Sequence, residues 1–183
     1  MLMRLSGENK ISLPYKTIAL LGAFCLFLSA LEYMIPKPLP FLRIGLANLP
    51  LMLALDIFSF PKFLILIFIK VIGQGLITGT LFSYVFLFSL SGTFLSASVM
   101  FLMRRAFGYE RLSFIGIGAA GAFVSNAAQL ALAWFFIFQE NIRYIAPPFL
   151  IVGIITGLVL GLFCEVFTRQ SKWYWRLRTE NLN

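Results

Sequence analysis

Seven polar side chains lie inside stretches of the sequence that are otherwise almost entirely apolar. They comprise one carboxylate, two cations and four amides: Glu32, Arg43, Asn48, Lys70, Gln74, Asn126 and Gln129. A polar group in hydrocarbon is costly unless it has a partner or a function. Cations and amides of this kind can bind an anionic or carbonyl-bearing molecule and fix its orientation. The sequence therefore predicts one substrate-binding pocket for a small molecule, lined by these residues.

The same residue types exclude several kinds of chemistry. The chain has no histidine, which removes Ser–His–Asp triads and histidine metal sites. Aspartate occurs once, at Asp56, whereas Mg²⁺-dependent diphosphate chemistry needs clustered carboxylates. A GxxxxGK[ST] loop for ATP is also absent from the sequence. We therefore predict a protein that is not an enzyme and has no metal or cofactor, and any active transport would need an ion gradient or a partner.

Composition indicates that the polar residues are carried by membrane-spanning helices. Of 183 residues, 60% are hydrophobic and 12% are charged, about half the charged fraction of an average soluble domain. The apolar residues form long runs rather than alternating stripes, which is typical of spanning helices. We predict an all-α integral membrane protein, a single domain over residues 1–183. Its six spans are placed at about 15–35, 41–58, 63–78, 81–103, 112–138 and 149–168.

Two further features of the first span and the loops bear on this topology. The first apolar run resembles a signal peptide, but Ser29-Ala30-Leu31-Glu32 is a poor cleavage site, so we interpret it as a retained span. Pro36–Pro40 is a stiff extended segment that could cover the mouth of the pocket. Residues 139–148, which contain Pro147 and Pro148, are predicted to form a loop.

Lysine and arginine counts predict the orientation, because positive residues accumulate on the cytoplasmic side of spans. With both termini inside, three basic residues lie outside, Lys37, Arg43 and Arg143. Eleven lie inside: Arg4, Lys10, Lys16, Lys62, Arg104, Arg105, Arg111, Arg169, Lys172, Arg176 and Arg178. This explains the net charge of +8 without nucleic-acid binding, for which little soluble surface exists. The pocket residues then lie at mid-membrane or toward the outer leaflet, in a bacterial cytoplasmic membrane.

Near the inner face, the sequence offers pairs of opposite charge. Asp56 and Glu165 fall close enough to Lys62 and Arg169 to pair with them. Trp173-Tyr174-Trp175 is typical of an aromatic belt at the membrane interface. Cys25 and Cys164 lie in apolar runs and are interpreted as small core residues.

Each pocket residue also has a purely structural interpretation. Lys70 and Gln74 share one face of the third span with Thr78. Lys70 could form a buried ion pair with Glu32, contact a ligand, or do both. Arg43 could be an interfacial anchor, and the amides of Asn126 and Gln129 could serve helix packing alone. The sequence leaves these alternatives open.

Small residues mark helix faces that approach a neighbour closely. The sixth span carries Gly153, Gly157 and Gly161, a GxxxGxxxG ridge that favours a contact within the bundle over one with another protein. The first span carries Ala19 and Ala23, which are candidates for a partner interface.

Several segments together resemble the bacterial Gx transporter family, which is also labelled heptaprenyl diphosphate synthase component I. They are Leu31–Pro36, Arg43–Asn48, Gly79–Tyr84, Ser89–Gly92, Gly121–Gln129 and Gly153–Gly157. The family's six-span pattern is similar to the substrate-binding S components of energy-coupling-factor vitamin transporters. This resemblance implies a ligand pocket beneath the loop between spans one and two. It also implies a membrane scaffold partner that contacts small residues of span one, together with an ATPase.

Two functions follow from the residues and the resemblance together. The first is a transporter, or the substrate-binding component of one, that takes up a small cofactor or vitamin-like molecule. The second is a non-catalytic membrane accessory subunit for isoprenoid, quinone or extracytosolic flavin-linked electron-transfer metabolism.

Overall fold

A computed structural model describes residues 2–35, 45–138 and 142–182, and all regular structure in these ranges is helical. The long helices are α1 (Leu2–Met34), α3 (Phe60–Ile77), α4 (Tyr84–Arg111), α5 (Phe114–Ala133) and α6 (Ile142–Gln170). A 3₁₀ turn at Leu46–Asn48 leads into the short α2 (Leu49–Ala54), π-helical Trp134–Phe138 extends α5, and α7 (Lys172–Leu182) follows α6. The prediction of an all-α chain is confirmed for this part of the protein.

Within the described residues, five helical segments are long and apolar enough to cross a membrane. They are Tyr15–Met34, Phe60–Ile77, Tyr84–Arg111, Phe114–Ile137 and Ile142–Gln170. Their outward faces carry large apolar side chains such as Leu102, Phe135 and Val159, each at least 60% exposed. Such surfaces suit contact with lipid, so the chain is a multi-pass membrane protein.

The predicted second span differs most from the structure. Within 45–58, the α-helix covers only Leu49–Ala54, so the described residues contain five candidate spans rather than six. All six side chains of α2 are buried. A segment enclosed by other helices needs neither the length nor the continuous helix that a lipid-facing span requires. An apolar run in the sequence does not distinguish these two cases.

The chain nevertheless returns through the bundle at α2. Glu32 near the end of α1 and Gln74 near the end of α3 line one cavity, so both helices end on the same side. α3 begins at the other side, where Phe63 stacks on Phe101 of α4 at 5.2 Å. The chain between α1 and α3 must therefore travel back through the protein, and α2 lies on that path.

The predicted loop over 139–148 is wrong for residues 142–148. α6 begins at Ile142, with Pro147 and Pro148 inside the helix. A proline removes one backbone donor and leaves a carbonyl one turn earlier without its helical partner. Near the start of a membrane helix, this loss is tolerated where other groups or water reach that carbonyl.

α5 and α6 pack closely because glycines face each other. A Cβ added to Gly157 would lie 2.5 Å from the carbonyl oxygen of Gly118, and one on Gly161 would lie 2.5 Å from that of Phe114. These are backbone atoms that cannot turn aside. The glycine ridge of α6 therefore lies against α5 within the bundle, which is a geometry available only to small residues.

Candidate functional site

A cavity lies among α1, α3, α4, α5, α6 and the segment before α2. It has about 610 Å³ of space between its lining atoms when its open mouth is included, but its enclosed part has room for only a few water molecules. Glu32, Asn48, Lys70, Gln74, Asn126 and Gln129 all line it. Six of the seven sequence-predicted residues thus meet at one place. The seventh, Arg43, lies outside the described residues, as does the Pro36–Pro40 segment.

Lys70 links three elements in the wall of this cavity. Its Nζ donates to Oδ1 of Asn48 and, at 3.1 Å, to Oγ1 of Thr93 on α4. The side chain is only 3% exposed, and Glu32, which is 1% exposed, lines the same space. A buried ammonium is retained only where acceptors and opposite charge surround it. Thr78, on the same sequence face, instead donates to the backbone oxygen of Gln74 at 2.8 Å and does not line the cavity.

Asn126 occupies a position that a glycine of α6 makes available. Its Nδ2 donates to the backbone oxygen of Phe149 at 3.1 Å. A Cβ on Gly153 would overlap this amide, at 1.7 Å from Nδ2. Gly153 therefore differs from Gly157 and Gly161: it makes room for a side chain of the cavity rather than for the backbone of α5.

Gln129 is fixed in a similar way by α4. Its Nε2 donates to Oγ of Ser125 at 3.0 Å, and a Cβ on Gly92 would lie 2.9 Å from the same nitrogen. Gly92 thus allows the amide to pass close to the α4 backbone. The amide nitrogen thus has a partner within the protein, whereas the amide oxygen has none among the described residues.

Three buried polar atoms in the cavity wall have no hydrogen-bond partner among the described residues. They are Oε1 of Gln74, Oε1 of Gln129 and Oγ of Ser89. A buried polar atom left without a partner costs about 1–3 kcal/mol, so such atoms usually have a function or contact water. Two are carbonyl oxygens, which only accept hydrogen bonds, so the cavity is suited to a molecule that brings N–H or O–H groups.

Thr93 was not predicted from the sequence, and neither Ser89 nor Ser125 was assigned to the pocket. Ser89 and Thr93 are four residues apart on α4 and line the cavity together. This i, i+4 spacing on an apolar helix was a signal that could have identified them. Small polar residues in membrane helices are so often packing residues that the signal alone does not distinguish the two roles.

A second polar cluster lies at the opposite end of the bundle. Nη2 of Arg104 and the phenol oxygen of Tyr174 each donate to Oδ2 of Asp56 at 2.9 Å. The expected partner of Asp56 was Lys62, and this prediction is wrong because Arg104 holds the carboxylate. The predicted pairing of Glu165 with Arg169 is confirmed at 3.0 Å.

Tyr174 also corrects the predicted aromatic belt. Trp173 and Trp175 are each 40% exposed, as interfacial residues would be, but Tyr174 is fully buried. Burial raises the pKa of Tyr174 above its ordinary value, and the neighbouring Asp56 carboxylate raises this pKa further. The phenol therefore stays protonated and donates to Asp56.

Ala19 and Ala23 are both exposed on the outer surface of α1. Gly22 beside them is buried, and a Cβ there would lie 2.9 Å from Ile69 of α3. The alanine face and the glycine face of α1 therefore point in different directions, one outward and one into the bundle.

The fold and cavity define the class of this protein: a multi-pass α-helical membrane protein with a polar cavity enclosed by its helices. Comparison with protein families assigns the chain to a more specific group. The chain belongs to the family described as heptaprenyl diphosphate synthase component I, whose model matches residues 21–167. The resemblance drawn from the sequence motifs is thus confirmed at the level of the family. Comparison with curated proteins gave no match, and comparison with solved structures gave none.

Proposed function

We propose that this protein captures a small polar molecule in the central cavity and serves its uptake across the membrane, either as a transporter or as the substrate-binding component of one. The observation that carries the proposal is the set of unpartnered atoms on Gln74, Gln129 and Ser89, which line the same cavity. A ligand with N–H or O–H groups would satisfy them. Ordinary helix packing does not need several such atoms directed to one space.

The remaining cavity residues suit the recognition of a compact cofactor or vitamin-like molecule. Lys70 would contact an anionic or carbonyl group, and Asn48 and Asn126 would fix its orientation. Glu32 would pair with a cation or control the mouth of the cavity. Arg43, which lies outside the described residues, would contact an anionic or carbonyl group as Lys70 does. The enclosed space holds only a few waters, so a ligand of this size would bind to a more open form.

The distribution of charge supports an outward-facing cavity. The cavity lies at the end of the bundle where α1 and α3 finish, while Arg104, Arg105 and Arg111 lie at the other end, where α4 finishes. Because positive residues favour the cytoplasmic side, the cavity would open outward, with both termini inside. The exposed Ala19–Ala23 face would then be available to a membrane scaffold and, through it, to an ATPase that supplies energy.

The family description supports a second candidate. A component of a heptaprenyl diphosphate synthase would be a non-catalytic membrane subunit that assists isoprenoid, quinone or flavin-linked electron-transfer chemistry. This candidate would show product formation that depends on the chain in the absence of solute flux. A cavity lined by unpartnered amide oxygens favours solute capture over a purely accessory role.

Mass spectrometry of small molecules released from gently purified protein tests the proposal. We expect one polar compound in stoichiometric amount, which is lost from the Lys70→Ala and Ser89→Ala variants. Ser96→Ala is the matched control, because Oγ of Ser96 is also buried with no partner among the described residues but Ser96 does not line the cavity. Equal retention in Ser89→Ala, Lys70→Ala and Ser96→Ala would reject this site. A prenyl or quinone compound instead would favour the accessory role.

A further inference from the structure

A second cleft lies at the end of the bundle opposite the cavity, between the α2–α3 turn, the end of α4 and α7. About 810 Å³ of space, open to the surroundings, lies between its lining residues. Residues 55–59 form one wall, and Arg104, Arg105, Tyr109 and Arg178 contribute to the rest. α4 bends at Gly108, where φ is +74°, a conformation that favours glycine. The residues after the bend return toward Arg104, whose guanidinium lies 4.8 Å from the Tyr109 ring centre.

The charges in this cleft are unbalanced. Three arginines line it together with one carboxylate, that of Asp56. Arg104 forms an ion pair with Asp56, so these two charges compensate each other. Arg105 and Arg178 form no ion pair with any carboxylate of the described residues. The cleft thus presents two uncompensated guanidinium groups.

Aromatic rings hold both of these guanidinium groups in place. Arg178 lies 4.2 Å from the ring centre of Tyr109 and 4.9 Å from that of Trp175. Arg105 lies 5.3 Å from the ring centre of Phe101. A guanidinium stacked on a ring keeps its N–H groups free at its edge, and less conformational entropy is lost when it binds an anion. Two such groups in one cleft suit the bidentate recognition of a phosphate.

Exposed aromatic residues adjoin the residues that line the cleft, in the chain or by contact with Arg178, and are called its rim here. Phe60, next to the 55–59 wall, is 44% exposed, and Phe107 and Trp175 are 57% and 40% exposed. Exposed rings beside arginines are typical of the level of lipid headgroups at the end of a membrane helix. A molecule that carries both a phosphate and an apolar chain would match both parts of this surface.

We propose that this cleft binds a phosphate group, held by Arg105 and Arg178, and that the aromatic rim selects the headgroup of an anionic lipid as its source. The site is separate from the central cavity and does not depend on the function proposed above. A soluble phosphate or diphosphate presents the same chemistry to the arginines but would leave the rim unused.

Native mass spectrometry of the full chain in detergent tests this proposal, with phosphatidylglycerol as the probe. We expect one firmly retained phosphatidylglycerol per chain, with binding weakened about tenfold in the Arg105→Gln/Arg178→Gln variant. Lys172→Gln/Arg176→Gln is the matched control, because it removes the same number of positive charges from two exposed positions on α7 outside the cleft. Its affinity for the lipid should stay within about twofold of the parent value.

Competition with sodium pyrophosphate distinguishes the two possible sources of the phosphate group, a lipid headgroup and a soluble anion. If pyrophosphate displaces the lipid only at millimolar concentration, the headgroup is the preferred ligand. If it binds tightly in an Arg178-dependent way while the lipid does not, the phosphate site stands and its source is soluble. Equal lipid loss in Arg105→Gln/Arg178→Gln and in Lys172→Gln/Arg176→Gln, or no binding of either probe, overturns the proposal. Should the Arg105→Gln/Arg178→Gln variant fail to fold, Arg105→Gln alone, at an exposed position, is compared with Arg176→Gln alone.

Discussion

The phenol oxygen of Tyr174 donates a hydrogen bond of 2.9 Å to Oδ2 of Asp56, which lies 118 residues earlier in the chain. The same oxygen atom of Asp56 accepts from Arg104 at 2.9 Å. Arg104 also donates to the backbone oxygen of Leu112, just beyond the end of α4. One carboxylate, whose side chain is 8% exposed, therefore joins α7 to the α2–α3 turn and to α4, and α7 is part of the folded unit.

Replacing Tyr174 with phenylalanine should destabilise the protein by about 1.5–3 kcal/mol, the usual contribution of a hydrogen bond to a charged group. The ring and its packing are kept, so the loss isolates the hydroxyl. Reversible denaturation in mixed detergent measures the free energy of unfolding. Tyr144→Phe is the control, because Tyr144 is 70% exposed and its substitution should change stability by less than about 0.5 kcal/mol. Equal effects of the two substitutions would contradict the importance of the Asp56 contact.

The same contact predicts an alkaline loss of stability. The folded pKa of Tyr174 is raised by burial and by Asp56 above its ordinary value of 10.0. At pH values above about 10, the unfolded chain releases the phenol proton while the folded protein keeps it. The contribution of this group to stability is therefore full below about pH 10 and falls as the pH rises further. Unfolding measured between pH 8 and 11 should show a steeper decline for the parent protein than for Tyr174→Phe. Parallel curves would argue that Tyr174 titrates normally.

A methyl group added where α5 and α6 approach closely should destabilise the protein more than a methyl group added elsewhere on these helices. Gly157→Ala would bring Cβ within 2.5 Å of a backbone oxygen of α5, and we expect a loss of about 2 kcal/mol or more. Gly116→Ala is the matched control, since its Cβ would meet only Leu112 Cδ1, at 3.5 Å, and Ser113 Oγ, at 3.8 Å. It should be neutral or slightly stabilising, because alanine favours helix. Thermal unfolding of both variants decides the matter, and a tolerated Gly157→Ala would contradict so close an approach of the two helices.

The helical class and the grouping of six pocket residues could both be predicted from the sequence, because each depends on a strong signal in the apolar runs. Long apolar runs define spanning helices, and a polar residue inside such a run must be placed somewhere protected. The short α2 could not be predicted, because full enclosure by neighbouring helices leaves no trace in an apolar segment. The partner of Asp56 was missed for a similar reason: Arg104 and Tyr174 are distant in sequence, and only the packing of α4 and α7 brings them to the same carboxylate.

The link from Lys70 to Asn48 should account for much of the rigidity of the cavity. Lys70→Met and Asn48→Ala should each destabilise the protein, and a double-mutant cycle should give a coupling energy of about 1–3 kcal/mol. The double variant would then lose less than the sum of the single losses. Thr156→Ala provides a control cycle with Lys70→Met: Thr156 also lines the cavity but donates within its own helix, to the oxygen of Gly153 at 2.9 Å. That cycle should be additive within about 0.5 kcal/mol. Additivity in both cycles would mean that Lys70 and Asn48 are neighbours without energetic coupling, and that the cavity is held together by the packing of its helices alone.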